Sequence, residues 1–318
     1  MLRPILWACG AIALIAIVLG YAMYHREISA ARAELRIRSA IISTACGPIE
    51  YAEAGIGAPV LVIHGAGGGF DAGLQLGQPL LERGFRVIAP SRFGYLRTPL
   101  PADASPTAQA DAHACMLNAL KIDRVAVLAA SAGSPSAMQF CIRHPEKCSA
   151  LVLISPQAWA PQTGTRPKQG PPAFLMPLLK ATMRSDFLFW ATLKMPHAVV
   201  LRTFLGTPVE DFKKASPVQQ AETLGLVRKI LPIEPRAAGM WNDAVTNGSV
   251  PRFDLERIAA PALLIAARDD LYKSHVNAQY SAEHIPNARL LDYSTGGHIL
   301  IGHPETFNEI ARFLAQQK

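Results

Sequence analysis

Six short apolar runs constrain this chain more than any other feature. They are "PVLVIH" (59–64), "FRVIAP" (85–90), "RVAVLAA" (124–130), "SALVLISP" (149–156), "PALLIAARD" (261–269) and "ARLLDYS" (288–294). Each has the length of a β-strand and is apolar on consecutive residues, so both of its faces must be covered. Strands of that kind, alternating with helical stretches, form a parallel sheet between two layers of helices, an α/β fold. "SPTAQADAHACMLNALKI" (105–122) is such a helix, with Ala110, Ala114, Leu117 and Leu120 on one face, and "PSAMQFCIRHP" follows the third run. Ahead of the first run, "STACGPIEYAEAG" (43–55) alternates like a hairpin. Half of the 318 residues are apolar, enough for one large α/β core. No internal repeat or low-complexity tract interrupts it.

Between residues 157 and 250 the strand pattern stops, and prolines and apolar helical segments such as "AFLMPLLKATM" and "DFLFWATLKM" take over. This reads as a helical cap inserted between two strands of the sheet. The expected organisation is an N-terminal segment (1–24), a juxtamembrane linker (25–40), core residues 41–156, the cap at 157–250 and a second core part at 251–318.

The N-terminal segment contains "ILWACGAIALIAIVLGYAMY" (5–24), 20 residues without a charge. At 1.5 Å per residue this is about 30 Å of helix, the thickness of a bilayer core. Trp7, Tyr21 and Tyr24 stand near its ends, as interfacial aromatics do. A cleaved signal peptide has a shorter apolar region, and "AARA" (30–33) lies well past the run, so a retained single-pass anchor is expected. Part of the formal net charge of +7 comes from Arg3, Arg26, Arg32, Arg36 and Arg38 around this helix, which fits an anionic lipid surface. No basic stripe with interleaved aromatics points to nucleic acid. The arginines after the helix favour a cytoplasmic main domain. A large domain is translocated regardless of such charge, however, and the side stays open.

Five cysteines, an odd number, include one inside the apolar helix and show no C-x-x-C or Cys/His spacing. The expectation is therefore free buried thiols, with no disulfide framework and no metal site.

The third run leads directly into "SAGSPS" and a helix. A sharp strand-to-helix turn there lifts a nucleophile above the sheet and needs small residues two before and two after it. Ser131 satisfies this with Ala129 and Gly133, and Ser134 with Ala132 and Ser136. The residue after the nucleophile must offer its backbone N–H to the developing oxyanion. Ala132 has that N–H, whereas Pro135 has none and suits the first turn of a helix. Ser131 is thus the expected nucleophile.

A serine needs a base and an orienting acid, in the order Ser, Asp or Glu, His on this architecture. Asp269 and Asp270 follow the fifth run, and His298 follows the sixth behind Gly296 and Gly297. "HGAGGG" (64–69) after the first run supplies the second oxyanion donor at Ala66. It does not cradle a phosphate, since no G-K-[ST] follows and Phe70 breaks G-x-G-x-x-G.

With "VIHGAGGG", "APSRFGYLRTP", "AASAG", "PALLIAARDD" and "GGHILIGHPE" in this order, the chain over residues 40–316 resembles the α/β-hydrolase superfamily. The branch it resembles is the capped single-chain serine hydrolases: esterases, carbon–carbon bond hydrolases and cofactor-free haloperoxidases. The resemblance implies an α/β-hydrolase fold with a helical cap. It also selects the acid, because that family's carboxylate stands three residues after the small residue closing the strand, here Ala267, which points to Asp270. The family commonly has glycine where this chain has Ala129 and Ala267.

The implied activity is hydrolysis of an ester-type bond of a small, apolar substrate by Ser131, His298 and Asp270. Ala66 and Ala132 form the oxyanion hole, and no cofactor or metal takes part. Phe174, Leu175, Met176, Phe187, Phe189 and Trp190 either line an apolar pocket or pack the cap on the core. One alternative is a carbon–carbon bond hydrolase with the same triad, which needs a cationic clamp for a substrate carboxylate; Arg92, Arg184 and Arg202 are available. Another is a catalytically silent, membrane-tethered scaffold. The "NGS" at 247–249 reads as a surface turn. Oligomeric state is not encoded in any of these features.

Overall fold

The computed structural model describes residues 2–37, 39–161, 176–247 and 250–317. A long helix α1 (Leu2–Ile37) precedes a hairpin of β1 (Ala40–Thr44) and β2 (Gly47–Ala54). Next come β3 (Ala58–Ile63), α2 (Phe70–Leu81), β4 (Phe85–Pro90), α3 (Pro106–Ala119), β5 (Val125–Ala130), α4 (Ser134–Arg143) and β6 (Cys148–Ile154). Helices then follow one another: α5 (Met176–Met183), α6 (Asp186–Thr192), α7 (His197–Phe204), α8 (Val209–Lys214), α9 (Pro217–Arg228) and α10 (Ala237–Asn247). The sheet resumes with β7 (Ala262–Ala267), α11 (Ser274–His284), β8 (Ala288–Tyr293) and α12 (Thr306–Ala315).

The eight strands form one sheet in the order β1-β2-β4-β3-β5-β6-β7-β8, antiparallel at β1 and β2 and parallel elsewhere. The six apolar runs are its parallel strands. Their continuous apolarity follows from double-sided burial. Val60 and Val62 of β3 face one core with Ile310 and Leu314 of α12, while Leu61 and Ile63 face the other with Met138 and Phe140 of α4. β7 alternates the same way, with Leu263 and Ile265 on one face and Leu264 and Ala266 on the other.

The helices between β6 and β7 have a core of their own, built on Phe189, Trp190, Leu201, Val227 and Ile233. Phe189 and Trp190 are therefore packing residues of the cap, and Phe187 lies on its outside, 47% exposed. Phe174 and Leu175 lie outside the described residues, as do Gly248 and Ser249 of the "NGS" turn.

One expectation is corrected. The cysteines are not free: Cys46 is bonded to Cys115, and Cys141 to Cys148, across 69 and 7 residues of sequence. Spacing along the chain could not reveal this, because the turn after β1 meets α3 only through folding, with Cα atoms 6.0 Å apart. Residues 25–37 continue α1 as helix. By length and composition α1 is able to cross a membrane.

Candidate active site

Parallel strands bring their carboxyl ends to one edge of the sheet, where loops collect side chains from distant parts of the sequence. Ser131 follows β5, Asp269 and Asp270 follow β7, and His298 follows β8.

Ser131 has a φ of 47°, the left-handed region that a residue with a Cβ adopts at a cost of about 1–3 kcal/mol. A one-turn 3-10 helix, Ser131–Gly133, carries the chain from β5 into α4. The turn is tight enough that a Cβ on Gly133 would lie 2.7 Å from the His64 carbonyl oxygen and 2.8 Å from that of Ile63. Gly65 likewise leaves room for the turn, since a Cβ there would sit 3.3 Å from the Ser131 Cβ. Ser134 opens α4 fully buried, with no partner for its hydroxyl among the described residues. Of the two candidate serines, Ser131 is the one that is not fully buried.

The two adjacent aspartates take different tasks. The His298 Nδ1 and Asp270 Oδ2 are 2.8 Å apart. Asp270 is 1% exposed. It also accepts the Tyr272 N–H at 2.8 Å, the Ser274 N–H at 3.2 Å and the Ser274 hydroxyl. Burial alone would raise the Asp270 carboxyl; the hydrogen bond and charge of His298, joined by Ser274 and Tyr272, outweigh it and hold the group below its ordinary value. Asp269 instead accepts the Gly297 N–H at 2.9 Å and the Gly296 N–H at 3.3 Å. Asp211 of α8 reaches the same Gly296 N–H at 3.2 Å. Arg268 turns away to Asp292.

Gly297 has a φ of 60°, and a Cβ there would lie 2.6 Å from the Thr207 Oγ1. The His298 carbonyl accepts the Ser155 hydroxyl at 2.6 Å, and its ring meets Tyr272 edge-on at 4.9 Å. His303 is occupied by the Thr295 carbonyl and Glu305 and stacks on Tyr293 at 3.8 Å. Among the described residues the Ser131 hydroxyl makes no hydrogen bond to His298. Such contacts are often long before substrate binds.

Ala66 is exposed on the loop after β3, and Ala132 is buried behind Ser131. Among the described residues no acceptor takes either N–H.

The loop 64–69 is held from below by a network that sequence reasoning missed. Arg92 pairs with Asp243 of α10 through both guanidinium ends, at 2.8 and 2.7 Å. Its Nε donates to the His64 carbonyl at 3.0 Å, and Nη2 to that of Gly65 at 3.2 Å. Burial opposes the Arg92 charge, and the Asp243 carboxylate outweighs it, so the pKa is raised. The Tyr95 hydroxyl bonds Asp243 and accepts the Gly67 N–H at 3.3 Å. Burial, followed by the Arg92 charge, drives the His64 pKa well down and keeps the ring neutral. Its Nδ1–H therefore donates to the Gly65 carbonyl at 2.7 Å and its Nε2 accepts the Arg92 N–H at 3.0 Å.

A second buried arginine, Arg236, donates to the Gly68 carbonyl at 2.6 Å and pairs with Asp71 at 2.8 Å. Isolated charges in apolar surroundings, such as Asp243 in "GMWNDAV", were the available signal. Arg92 is thus committed to structure rather than free to clamp a substrate carboxylate, and Arg184 and Arg202 are exposed. Among the described residues no group of acids, histidines or cysteines could hold a metal ion.

Known proteins resemble this chain in sequence and fold. The chain is 28% identical over 258 residues to an uncharacterized hydrolase, YcgS, of Bacillus subtilis, covering 80% of this chain and 89% of that one. It is also 28% identical over 276 residues to a 2-hydroxy-6-oxononadienedioate/2-hydroxy-6-oxononatrienedioate hydrolase of Paraburkholderia xenovorans, covering 84% and 90%. An alpha/beta hydrolase fold protein from Nakamurella multipartita superposes with a TM-score of 0.66 at 26% identity, over 88% of this chain and 98% of that one. The model of the alpha/beta hydrolase fold matches residues 58–302, and the chain is a hydrolase belonging to that family.

Proposed function

We propose that this hydrolase is a membrane-anchored serine esterase that cleaves acyl bonds of small, apolar substrates through Ser131, His298 and Asp270. The observation that carries the reading is the Ser131 turn: a strained, left-handed serine between strand and helix, on the same sheet edge as the His298–Asp270 hydrogen bond.

In this mechanism His298 Nε2 takes the Ser131 proton as Oγ attacks the carbonyl carbon. Asp270 holds the proton on Nδ1 and stabilises the imidazolium that forms. The electron pair moving onto the carbonyl oxygen is met by the N–H groups of Ala66 and Ala132. Collapse expels the alcohol, which takes the proton from His298. Water, deprotonated by the same ring, then hydrolyses the acyl-enzyme and restores Ser131.

The Paraburkholderia relative, named as a hydrolase of substrates that bear two carboxylates, supports a second reading, the carbon–carbon bond hydrolase. Against it stand the two buried arginines: the Arg92 guanidinium is consumed by Asp243, His64 and Gly65, and that of Arg236 by Asp71 and Gly68.

The anchor reading rests on α1, and the two disulfides favour a domain facing an oxidising compartment. This weighs against the flanking arginines, whose orienting effect does not bind a large domain.

The test is fluorophosphonate labelling with a p-nitrophenyl ester series of increasing chain length. Wild type should label and turn over, and Ser131→Ala should do neither. Labelling retained in Ser131→Ala overturns the assignment.

A further inference from the structure

The helix that carries the apolar N-terminal run continues past it and lies on the cap. Ile28 is 4% exposed and belongs to the cap core with Phe189, Trp190 and Leu201. The Trp190 indole N–H donates to Glu27 at 2.8 Å, and Lys194 donates to the same carboxylate at 3.0 Å. Arg32 donates to the buried Asp186 at 2.8 Å. Asp186 in turn accepts the Ile233 and Glu234 N–H groups at 2.8 and 3.0 Å, so α1 is tied into the cap's backbone. The contact begins at Tyr24, the last residue of the uncharged run. Its ring meets Phe187 and Trp190 edge-on at 5.3 and 5.7 Å.

That position fixes a depth. Ile5 to Tyr24 is about 30 Å of helix, the full hydrocarbon core of a bilayer. With the run spanning the core, Tyr24 stands at its boundary, and the side chains touching Tyr24 stand there too. They belong to α6. This helix shows solvent a Phe187 that is 47% exposed and a Leu188 that is 36% exposed. Met195 and Val199, 45% and 39% exposed, extend the apolar series into α7, and Arg184, Lys194 and Arg202 lie along the same stretch. Exposed apolar side chains beside cations are the composition of a surface that lies in the headgroup layer.

We propose that the α6–α7 segment of the cap is a second membrane contact, resting on the bilayer that α1 spans, so that anchor and cap engage the lipid as one unit. The occupant is the bilayer because the rigid helix that places this face also places the lipid boundary. The inference rests on the anchor reading and goes beyond it, since an anchor on a loose tether would leave the cap in water.

Full-length chain with Cys9→Ala, whose remaining cysteines are paired in disulfides, is labelled with bimane at one introduced cysteine and reconstituted into phosphatidylcholine vesicles. Leu188→Cys probes the cap. Ile12→Cys probes the anchor, and Ile56→Cys, 85% exposed on the turn between β2 and β3, is the aqueous control. In vesicles containing acyl-chain-brominated lipid, the labels at 12 and 188 should lose at least half of their emission, and the label at 56 should keep it. Quenching at 12 without quenching at 188 overturns the cap contact while leaving the anchor standing. Quenching at none of the three overturns the anchor and the contact with it. A label at 188 that is blue-shifted in vesicles yet untouched by bromine marks a protein partner there and also overturns the proposal.

Discussion

His298 and Asp270 meet through a single 2.8 Å contact between Nδ1 and Oδ2, and the residue next to Asp270 serves the same histidine by another route. Asp269 never touches the ring; it fastens the Gly296–Gly297 backbone from which the ring projects. Neighbouring residues on an extended turn point to opposite sides. One side here is a ring nitrogen, the other a pair of N–H groups.

Asp270→Asn should therefore lower kcat by a few orders of magnitude through loss of the tautomer. Asp269→Asn keeps an acceptor for the loop and should cost less than about tenfold, since one weakened hydrogen bond is worth about 1 kcal/mol. Steady-state ester hydrolysis together with a thermal melt of each variant checks this. A crippled Asp269→Asn with an unaltered melt would reverse the two roles.

Ser134→Ala should keep fluorophosphonate labelling and most of the activity. Its hydroxyl is fully buried without a partner among the described residues, so its removal should be neutral or slightly stabilising, within about 1 kcal/mol. Equal loss of labelling in the Ser131 and Ser134 variants would undo the argument from Pro135.

Asp211 gives a pH test. Burial first, then the hydrogen bond and charge of Asp269, push its carboxyl from 3.8 up to about 6. A group raised on folding contributes stability that is full below its unfolded value and is lost as pH rises through about 6. Lys214 on the same helix and the Gly296 N–H oppose the rise; across the interface Arg268 is turned to Asp292, and His303 to Glu305 and the Thr295 carbonyl. Asp211→Asn cannot ionise. Its stability relative to wild type should be unchanged near pH 4 and gain about 1 kcal/mol above pH 7, after allowance for solvent screening, or ~2–4 °C in Tm. A difference that is constant with pH would contradict this.

Asp243→Ala leaves the Arg92 charge buried and alone. It should cost about 3–5 kcal/mol, and the surviving folded enzyme should lose about a hundredfold in kcat as the loop bearing Ala66 loosens. Chemical denaturation with activity measured at low denaturant separates the two effects. Full activity in the folded variant would show that the loop holds itself.

Alkylation of the unreduced, denatured chain should modify Cys9 alone, because the other four cysteines are paired. Replacing Cys46 and Cys115 together by serine should cost about 4 kcal/mol on the chain-entropy view, given the 69 residues they span. A C-terminal alkaline phosphatase fusion, active only in an oxidising compartment, should be active. An inactive fusion with five alkylated thiols would place the domain in the cytoplasm.

What the sequence determined by itself is local in physical terms. Continuous apolarity in "PVLVIH" or "PALLIAA" means burial on both faces of a strand, which Val60 to Ile63 and Leu263 to Ala266 bear out. The run without charge at residues 5–24 marks a helix able, by length and composition, to span a membrane, and the absence of an N–H on Pro135 is the local ground for proposing Ser131 over Ser134. Such features need only near neighbours along the chain. Tertiary structure decided whatever depends on groups distant in sequence meeting in space. Cys46 finds Cys115 across 69 residues, Arg92 finds Asp243 across 151, and Trp190 finds Glu27 across 163. Composition registers the charge or thiol in each case but not its partner, because a partner at that range is set by how whole layers stack. The resemblance points to Asp270 from the small residue that closes β7, but the contact between Asp270 and the His298 ring has the same long-range origin, since it turns on where the loop after β8 comes to rest against the end of β7.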